Sequence, residues 1–285
     1  MTQIAIVSDT HFDANDRLLV NNWRAVERWL KANAPDLVFH LGDVTAKGST
    51  DGAQLTFARD LLASSKIAIQ TIPGNHDIGD CPVTIGELPA DPLVPARMAD
   101  FQRLFGPDRW HLKAGMWRLI GLNALVLGTG IAEEESQFAW LQQTLGTDEG
   151  PIGLFLHKPL FRDDPGEEIA HVRYPAKPAR QRLLSILSGH DVRFVAAGHT
   201  HQMRRHYHAG IEHVWVPSTA FTVPDSRQER IGEKRVGIMT LELDADQHRF
   251  AFVAPHGLIP HSLMDFPHIY PALAALREQP GFGDG

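Results

Sequence analysis

The chain has 285 residues, of which 43% are hydrophobic and 21% charged, values that are ordinary for a globular protein. Its formal net charge of −7 argues against a basic surface that would bind a nucleic-acid backbone. Its single cysteine excludes an intrachain disulfide and a thiolate metal cluster.

Strand and helix signals alternate over the first 105 residues. Short apolar runs predict strands at residues 3–8, 36–41 and 67–72. Apolar residues at helical spacing, from Leu19 to Leu30, predict a helix that ends before Pro35. Further helices are predicted at residues 52–65 and about 96–105. This alternation favours parallel strands covered by helices.

The remainder of the chain is richer in strands. Strands are predicted at residues 110–112, 117–122, 152–156, 192–197, 214–216, 236–243 and 250–253, and helices at 137–145 and 179–187. The last two strands are expected to form a hairpin near residues 244–246. We expect a single domain over residues 1–285, with a peripheral tail from about residue 267 and a mobile end at 281–285.

Two proline-containing stretches interrupt this pattern. Residues 78–97 contain four prolines, and residues 158–178 form a second polar segment. Long loops in compact domains are often binding elements, so we expect both loops to border the substrate pocket.

Polar residues follow the ends of several predicted strands. Asp9-Thr10-His11, Gly42-Asp43 and Gly74-Asn75-His76-Asp77 each come after an apolar run. A single His157 ends another run, and Gly198-His199-Thr200-His201 follows the strand at 192–197. Because the carboxyl ends of parallel strands meet in one crevice, we expect these side chains to gather there.

The gathered side chains offer carboxylate, amide and imidazole ligands. Asp9 and His11 alternate along an extended segment, so both can reach one ion. Asp43 has two oxygens and could bridge two ions, and Asn75 offers a neutral carbonyl oxygen. Mixed nitrogen and oxygen ligands suit Fe, Mn, Zn, Ni or Co better than Ca or Mg. Two adjacent ions can clamp the attacking and leaving oxygens of a phosphoryl displacement.

The five motifs, in this order, resemble the calcineurin-like metallophosphoesterase superfamily, whose pattern is D-x-H, G-D, G-N-H-D/E, a single H and G-H-x-H. The similarity spans about residues 4–202. It implies a two-sheet αββα sandwich, an α/β fold with the metals at the carboxyl ends of the strands. It also implies two divalent or trivalent metal ions, with Fe, Mn or Zn favoured.

Carried over by position, the resemblance assigns a role to each motif residue. Asp9, His11 and His201 would bind the first metal, Asn75, His157 and His199 the second, and Asp43 would bridge them. A hydroxide held between the ions would be the nucleophile. His76 would be the general acid rather than a ligand, and Asp77 would orient His76.

Within the superfamily, the chain is most similar to bacterial class III cyclic nucleotide phosphodiesterases. The G-N-H-D motif, rather than the G-N-R-D of UDP-diacylglucosamine hydrolases, and the sequences His157-Lys158-Pro159-Leu160 and Gly198–Gln202 indicate this. The resemblance implies a phosphodiesterase acting on a small phosphodiester, with 3′,5′-cyclic nucleotides the first candidate. The alternatives are a phosphomonoesterase or phosphonate ester hydrolase, and a non-catalytic scaffold that binds protein partners.

Several other residues have plainer interpretations. His40 lies in an apolar run and is expected to be a packed core residue. His206-Tyr207-His208 is expected to be an ordinary strand. Arg162 and Arg173, in the second loop, are expected to be solvated charges rather than phosphate contacts.

Location and assembly are constrained less strongly. The N-terminal residues lack the features of a secretory signal, and no run reaches 18 apolar residues, so we expect a cytoplasmic protein that does not bind membranes. Oligomerisation through the C-terminal strands is compatible with the sequence but not required by it.

Overall fold

The computed structural model describes residues 1–147 and 149–273. Its strands in chain order are β1 (Thr2–Val7), β2 (Leu37–His40), β3 (Gln70–Thr71), β4 (Trp110–Ala114), β5 (Trp117–Gly121), β6 (Ile152–Leu156), β7 (Val192–Ala197), β8 (Arg204–His208), β9 (Ile211–Trp215), β10 (Phe221–Thr222), β11 (Ile238–Asp244), β12 (Gln247–Val253) and β13 (His261–Ser262). Its α-helices are α1 (Arg17–Asn33), α2 (Gly52–Ser64), α3 (Asn75–Ile78), α4 (Pro95–Phe105), α5 (Ala132–Thr147) and α6 (Lys177–Leu187).

Two mixed sheets form the centre of the molecule. The first has the order β12-β11-β1-β2-β3, in which β1, β2 and β3 run parallel. The second has the order β4-β5-β6-β7-β9-β8, in which β5, β6, β7 and β9 run parallel. A short parallel pair, β10 with β13, lies outside both sheets.

The alternation of side chains along each strand separates the layers. Ile6 of β1 packs in a cluster with Phe155 and Phe194 of the second sheet, so this apolar core lies between the sheets. Its neighbour Val7 belongs instead to a cluster with Trp23 of α1. Helices also cover the second sheet, where α5 and α6 contribute buried side chains to the same cluster as β6 and β7. The expected αββα sandwich is confirmed.

Most predicted elements occur within a few residues of their expected positions, with some exceptions. Helix α5 begins five residues before the predicted 137 because Glu134 accepts hydrogen bonds from the backbone N–H groups of Gly128 and Gly130, which stabilises the first turn. Strands β3, β10 and β13 have two residues each, too few to show a period in the sequence.

The first residues of the expected peripheral tail are packed against the rest of the molecule. Ile269 and Leu273 are buried, and Ile269 packs in a small apolar cluster with Phe221 and Phe266. Residues 267–273 are therefore part of the packed molecule. The predicted mobile end at 281–285 lies outside the described residues. Within residues 1–147 and 149–273, no helix combines the length and apolar character needed to cross a bilayer.

Candidate metal centre

The predicted ligand side chains lie together at one edge of the sandwich. They follow the carboxyl ends of β1, β2, β3, β6 and β7, so both sheets contribute. Contacts within the site join all of the predicted metal ligands: Asp9, His11, Asp43, Asn75, His157, His199 and His201. We call Asp9, His11 and His201 the inner half, and Asn75, His157 and His199 the outer half.

The inner half is tightly clustered and closed to solvent. Nε2 of His11 lies 3.1 Å from Nε2 of His201. Nε2 of His201 in turn lies 3.5 Å from Oδ1 of Asp9. The three residues are at most 5% exposed. Two imidazole nitrogens and a carboxylate oxygen that converge in a buried site are a suitable donor set for a transition-metal ion.

Asp43 lies between the two halves. Its Oδ2 atom is 3.7 Å from Nε2 of His11 in the inner half and 3.3 Å from Nε2 of His157 in the outer half. Asn75 completes the outer half on this side, with its Oδ1 atom 3.1 Å from Nε2 of His157. One carboxylate therefore faces both potential metal positions.

Hydrogen bonds to backbone carbonyls orient two of the imidazole rings. Nδ1 of His157 donates to the carbonyl of Leu41 at 2.7 Å, and Nδ1 of His201 donates to the carbonyl of Phe221 at 2.8 Å. A carbonyl can only accept, so each Nδ1 carries the proton. Each Nε2 then faces the centre of the site, where its lone pair would be available to a metal ion that displaces any proton on it.

His199 provides an independent sign that the site suits a cation. Its Nε2 lies 3.1 Å from the carbonyl of Val172, and its buried Nδ1 has no hydrogen-bond partner within the described part of the chain. His199 forms a cluster with Asp43 and His157, in which one ligand atom from each lies within 4.8 Å of the others. A buried ring nitrogen without a partner costs free energy, and a bound cation would satisfy it.

The backbone is strained where these ligands lie. Five of them have φ angles in the left-handed region: Asp9 (54°), His11 (46°), Asp43 (51°), His199 (66°) and His201 (51°). Such conformations cost about 1–3 kcal/mol each in non-glycine residues and cluster at functional sites. Gly42 has φ of 92°, and a Cβ there would lie 2.6 Å from the backbone nitrogen of Gly74, so this turn requires glycine.

Burial and contact within the site set its protonation. Burial is the largest cause that holds the pKa values of His11 and His199 well below the ordinary range. Burial also acts to lower the pKa of His157, but contact with Asp43 outweighs it and raises that pKa to about 9. Burial raises the pKa of Asp9. A cation would compete with the His157 proton and would offset the cost of the buried Asp9 charge.

His76 lies at the same edge and is partly exposed. Its Nδ1 donates to the carbonyl of Ala46 at 2.7 Å, which leaves Nε2 free. One ring nitrogen also lies within 4.8 Å of ligand atoms of His11 and Asp43. The position of His76 thus suits a general acid and also a metal ligand. The role of general acid stays a prediction, which substitution of His76 would test.

The Asp77 carboxylate is directed at backbone groups rather than at the His76 ring, so the predicted orienting role stays a prediction and would have to act through the backbone. Its carboxylate accepts hydrogen bonds from the backbone N–H groups of Val44, Thr45 and Gly74, at 2.8–3.1 Å, and from the Thr45 hydroxyl at 2.7 Å. Consecutive side chains in the helical turn α3 do not face each other. Asp77 thus ties the loop that carries Asp43 to the start of the helical turn that carries His76.

The predictions for residues outside the ligand set have mixed outcomes. His40 is fully buried and lies 3.0 Å from the Thr10 hydroxyl, which confirms a core residue. His206-Tyr207-His208 lies in strand β8, as expected. Arg162 and Arg173 both approach Glu229, at 3.0 and 3.8 Å, so they are paired rather than simply solvated.

Two residues near the site escaped the sequence analysis. Tyr270 places its hydroxyl 3.0 Å from Nδ1 of His11, and the carbonyl of Phe221 orients His201. Neither belongs to a motif with a recognisable spacing. The loop at 158–178 does reach the site, because the Val172 carbonyl contacts His199.

A sequence model described as calcineurin-like phosphoesterase matches residues 2–203, more than half of the chain. The chain belongs to this family. A "probable cyclic nucleotide phosphodiesterase" of Psychrobacter arcticus is 27% identical over 189 residues, 65% of this chain and 64% of that protein. A protein of Fibrobacter succinogenes with a similar name is 24% identical over 208 residues, 70% of this chain and 72% of its own. The predicted resemblance is confirmed, although the alignment spans less than two thirds of the first relative.

Solved structures share the fold at low sequence identity. A dimetal phosphatase from Danio rerio has a TM-score of 0.61 at 14% identity and covers 88% of this chain and 95% of its own. A purple acid phosphatase from yellow lupin has a TM-score of 0.65 at 14% identity, and the match covers 91% of this chain and 52% of the phosphatase. GAP50, described as the anchor in the inner membrane complex of Plasmodium, has a TM-score of 0.62 at 15% identity. The match covers 90% of this chain and 86% of GAP50. Since neighbours include phosphatases and an anchor, the fold alone does not decide activity.

Proposed function

We propose that this protein is a metal-dependent phosphoric ester hydrolase that uses two metal ions to cleave a small phosphodiester. The observation that carries the proposal is the position of Asp43, whose single Oδ2 atom lies within 3.7 Å of a histidine nitrogen from each half of the site. A shared carboxylate between two histidine clusters is the arrangement that a pair of adjacent ions needs.

The residues divide the work of such a reaction. When bound, the two cations would activate water and neutralise charge on the phosphoryl oxygens. The inner half would hold one ion and the outer half the other. His76 would give a proton to the departing ester oxygen from Nε2, since the Ala46 carbonyl fixes the ring by Nδ1 and the side chain is partly exposed.

The substrate proposal is a 3′,5′-cyclic nucleotide. Both curated relatives are named as probable cyclic nucleotide phosphodiesterases, which supports this class of ester. The net charge of −7 offers no general attraction for a long nucleic-acid backbone, so a small diester is favoured over a polymer. Among the metals, Fe, Mn or Zn suit the mixed imidazole and carboxylate ligands.

A substrate panel tests the proposal directly. The protein is purified, its metals are quantified, and it is reloaded separately with Mn²⁺, Zn²⁺ or Fe²⁺. Bis-p-nitrophenyl phosphate, p-nitrophenyl phosphate and cyclic AMP are then compared. We expect hydrolysis of both diesters and at least about tenfold slower hydrolysis of the monoester, which corresponds to about 1.4 kcal/mol in the barrier.

The other outcomes identify the alternatives. A preference for the monoester would indicate a phosphomonoesterase. No turnover of any ester by fully loaded protein would indicate a non-catalytic scaffold. Cytoplasmic location and assembly into oligomers stay predictions, which cell fractionation and sedimentation of the purified protein would check.

A further inference from the structure

The C-terminal segment contacts the candidate metal centre from outside the part of the chain that matches the family. The match ends at residue 203, whereas Tyr270 lies on the segment that follows β13. Its hydroxyl oxygen is 3.0 Å from Nδ1 of His11, a predicted ligand of the inner half. A residue that the family pattern does not contain therefore touches the site.

His11 is held differently from the other imidazoles of the site. The rings of His76, His157, His199 and His201 each have one nitrogen within hydrogen-bond distance of a backbone carbonyl. The Nδ1 atom of His11 has a side-chain hydroxyl instead. A carbonyl cannot be removed by substitution, but a hydroxyl can, so this one contact is open to a clean test.

The direction of this hydrogen bond follows from the other ring nitrogen. Nε2 of His11 faces Nε2 of His201 at 3.1 Å and Oδ2 of Asp43 at 3.7 Å, so Nε2 is the atom that would bind a metal. A ligating Nε2 carries no proton, and the neutral ring then carries its proton on Nδ1. When a metal binds Nε2, Nδ1 of His11 would therefore donate and the Tyr270 oxygen would accept.

Tyr270 is itself fixed in position. Its backbone N–H donates to the carbonyl of Phe266 at 3.0 Å. Its ring meets those of Phe221 and His76 edge to face, with centroids 6.0 Å away in both cases. Phe221 lies on β10, which pairs with β13, and its carbonyl orients His201. Tyr270 therefore contacts His11 directly, and the pairing of β13 with the strand of Phe221 links the same region to His201.

We propose that Tyr270 is a positioning residue that fixes the tautomer and orientation of His11 and so strengthens metal binding in the inner half. This inference rests on the proposed metal-dependent function. Hydrogen-bond partners of ligating histidines hold the ring and raise its basicity, and their loss typically weakens metal affinity by about 10- to 100-fold.

The test compares Tyr270→Phe with Tyr207→Phe, which removes the same hydroxyl from a residue that is 68% exposed on β8. Calorimetric titration of metal-free protein with Mn²⁺, repeated with Zn²⁺, measures the affinities. We expect Tyr270→Phe to weaken one of two binding steps by about 10- to 100-fold. We expect Tyr207→Phe to match the wild type. The melting temperature of metal-free Tyr270→Phe is measured as well, and a modest fall is expected because the buried Nδ1 of His11 loses its partner.

A double-mutant cycle shows whether Tyr270 acts through His11. In a His11→Ala background, the effect of Tyr270→Phe on metal affinity should disappear, because the contact is already lost. Equal effects in both backgrounds, or an unchanged affinity in Tyr270→Phe, would overturn the proposal. So would a lower melting temperature of the metal-free variant with unchanged affinity, which is the signature of simple packing.

Metal affinity and turnover separate this inference from the proposed function. Wild-type protein that binds metals and hydrolyses no ester would contradict the proposed activity but leave the Tyr270 measurement decisive. Wild-type protein that binds neither Mn²⁺ nor Zn²⁺ would contradict both. Normal turnover with unchanged affinity in Tyr270→Phe would contradict the role of Tyr270 alone.

Discussion

The two halves of the candidate centre differ in how they meet solvent. In the inner half, Asp9, His11 and His201 are buried, Tyr270 of the C-terminal segment contacts His11, and the carbonyl of Phe221 on β10 contacts His201. In the outer half, Asn75 and His199 are partly exposed. An enclosed ligand set releases an ion slowly, whereas a set that reaches solvent can exchange its ion and admit substrate. The outer half is thus the side at which a substrate would arrive.

The segment that holds His199 in the outer half is also more exposed than the segment that contacts His11 in the inner half. His199 contacts the carbonyl of Val172, which lies in the loop at 158–178 and is 51% exposed. Loops of this kind move more readily than packed segments. The comparison predicts one tightly held metal ion and one exchangeable ion, linked by Asp43.

The largest expected effect is at the residue that joins the two halves. Asp43→Asn removes the charge that faces both metal positions, so both ions should bind weakly. We expect kcat to fall by more than about 10⁴-fold, which corresponds to about 5.5 kcal/mol in the barrier. Metal analysis and steady-state kinetics measure this. Asp60→Asn, on the exposed surface of α2, is the matched control. Retention of both ions by Asp43→Asn would contradict the bridging role.

The next effect separates a general acid from a ligand. His76→Ala should keep both metal ions and lower kcat by about 10²- to 10⁴-fold, because only the proton donor is lost. Substrates with a leaving group that needs no proton, such as p-nitrophenolate, should lose less rate than cyclic AMP. Loss of a metal ion from this variant would instead assign His76 to the ligands, as its distance from His11 and Asp43 permits.

Removal of the metals with a chelator tests the predicted difference in release rate between the ion of the inner half and the ion of the outer half. Metal-loaded protein that is mixed with EDTA should release its ions in two phases, a fast one from the outer half and a slow one from the inner half. His199→Ala should lack the fast phase and retain about one ion per chain. The melting temperature should fall in two steps, since each bound ion stabilises the folded state by mass action. A single phase with simultaneous loss would contradict the comparison.

The motifs were predictable because each lies within a few residues of the end of a strand. Asp9 and Asp43 follow strands whose apolar runs are visible in the sequence, and parallel packing brings such strand ends together. Tyr270 was not predictable because it reaches His11 across 259 positions, and no spacing or composition signals such a contact. Its approach depends on the pairing of β10 with β13, and two-residue strands leave no period to read.

The surroundings of the Asp77 side chain were not predictable for a local reason. The resemblance implied that Asp77 orients His76, but both lie in one helical turn, in which neighbouring side chains diverge. The left-handed φ angles of the ligands were also not predictable, because aspartate and histidine indicate that conformation less strongly than glycine does.

The smallest effect concerns stability rather than chemistry. Asp77→Asn replaces a buried carboxylate that accepts four hydrogen bonds with an amide that offers one acceptor oxygen and two donors. We expect the free energy of unfolding to fall by about 1–3 kcal/mol, as measured by urea denaturation of the metal-free protein. Asp60→Asn should change it by less than about 0.5 kcal/mol. A large loss of kcat with unchanged stability would assign Asp77 to the acid machinery.

The most direct measurement is anomalous diffraction from crystals of Mn²⁺-loaded protein, collected at the manganese edge. The account predicts two peaks, about 3.5–4 Å apart. One should be bound by Asp9, His11 and His201, the other by Asn75, His157 and His199, and Asp43 should touch both. A single peak, or two peaks that do not share Asp43, would contradict it.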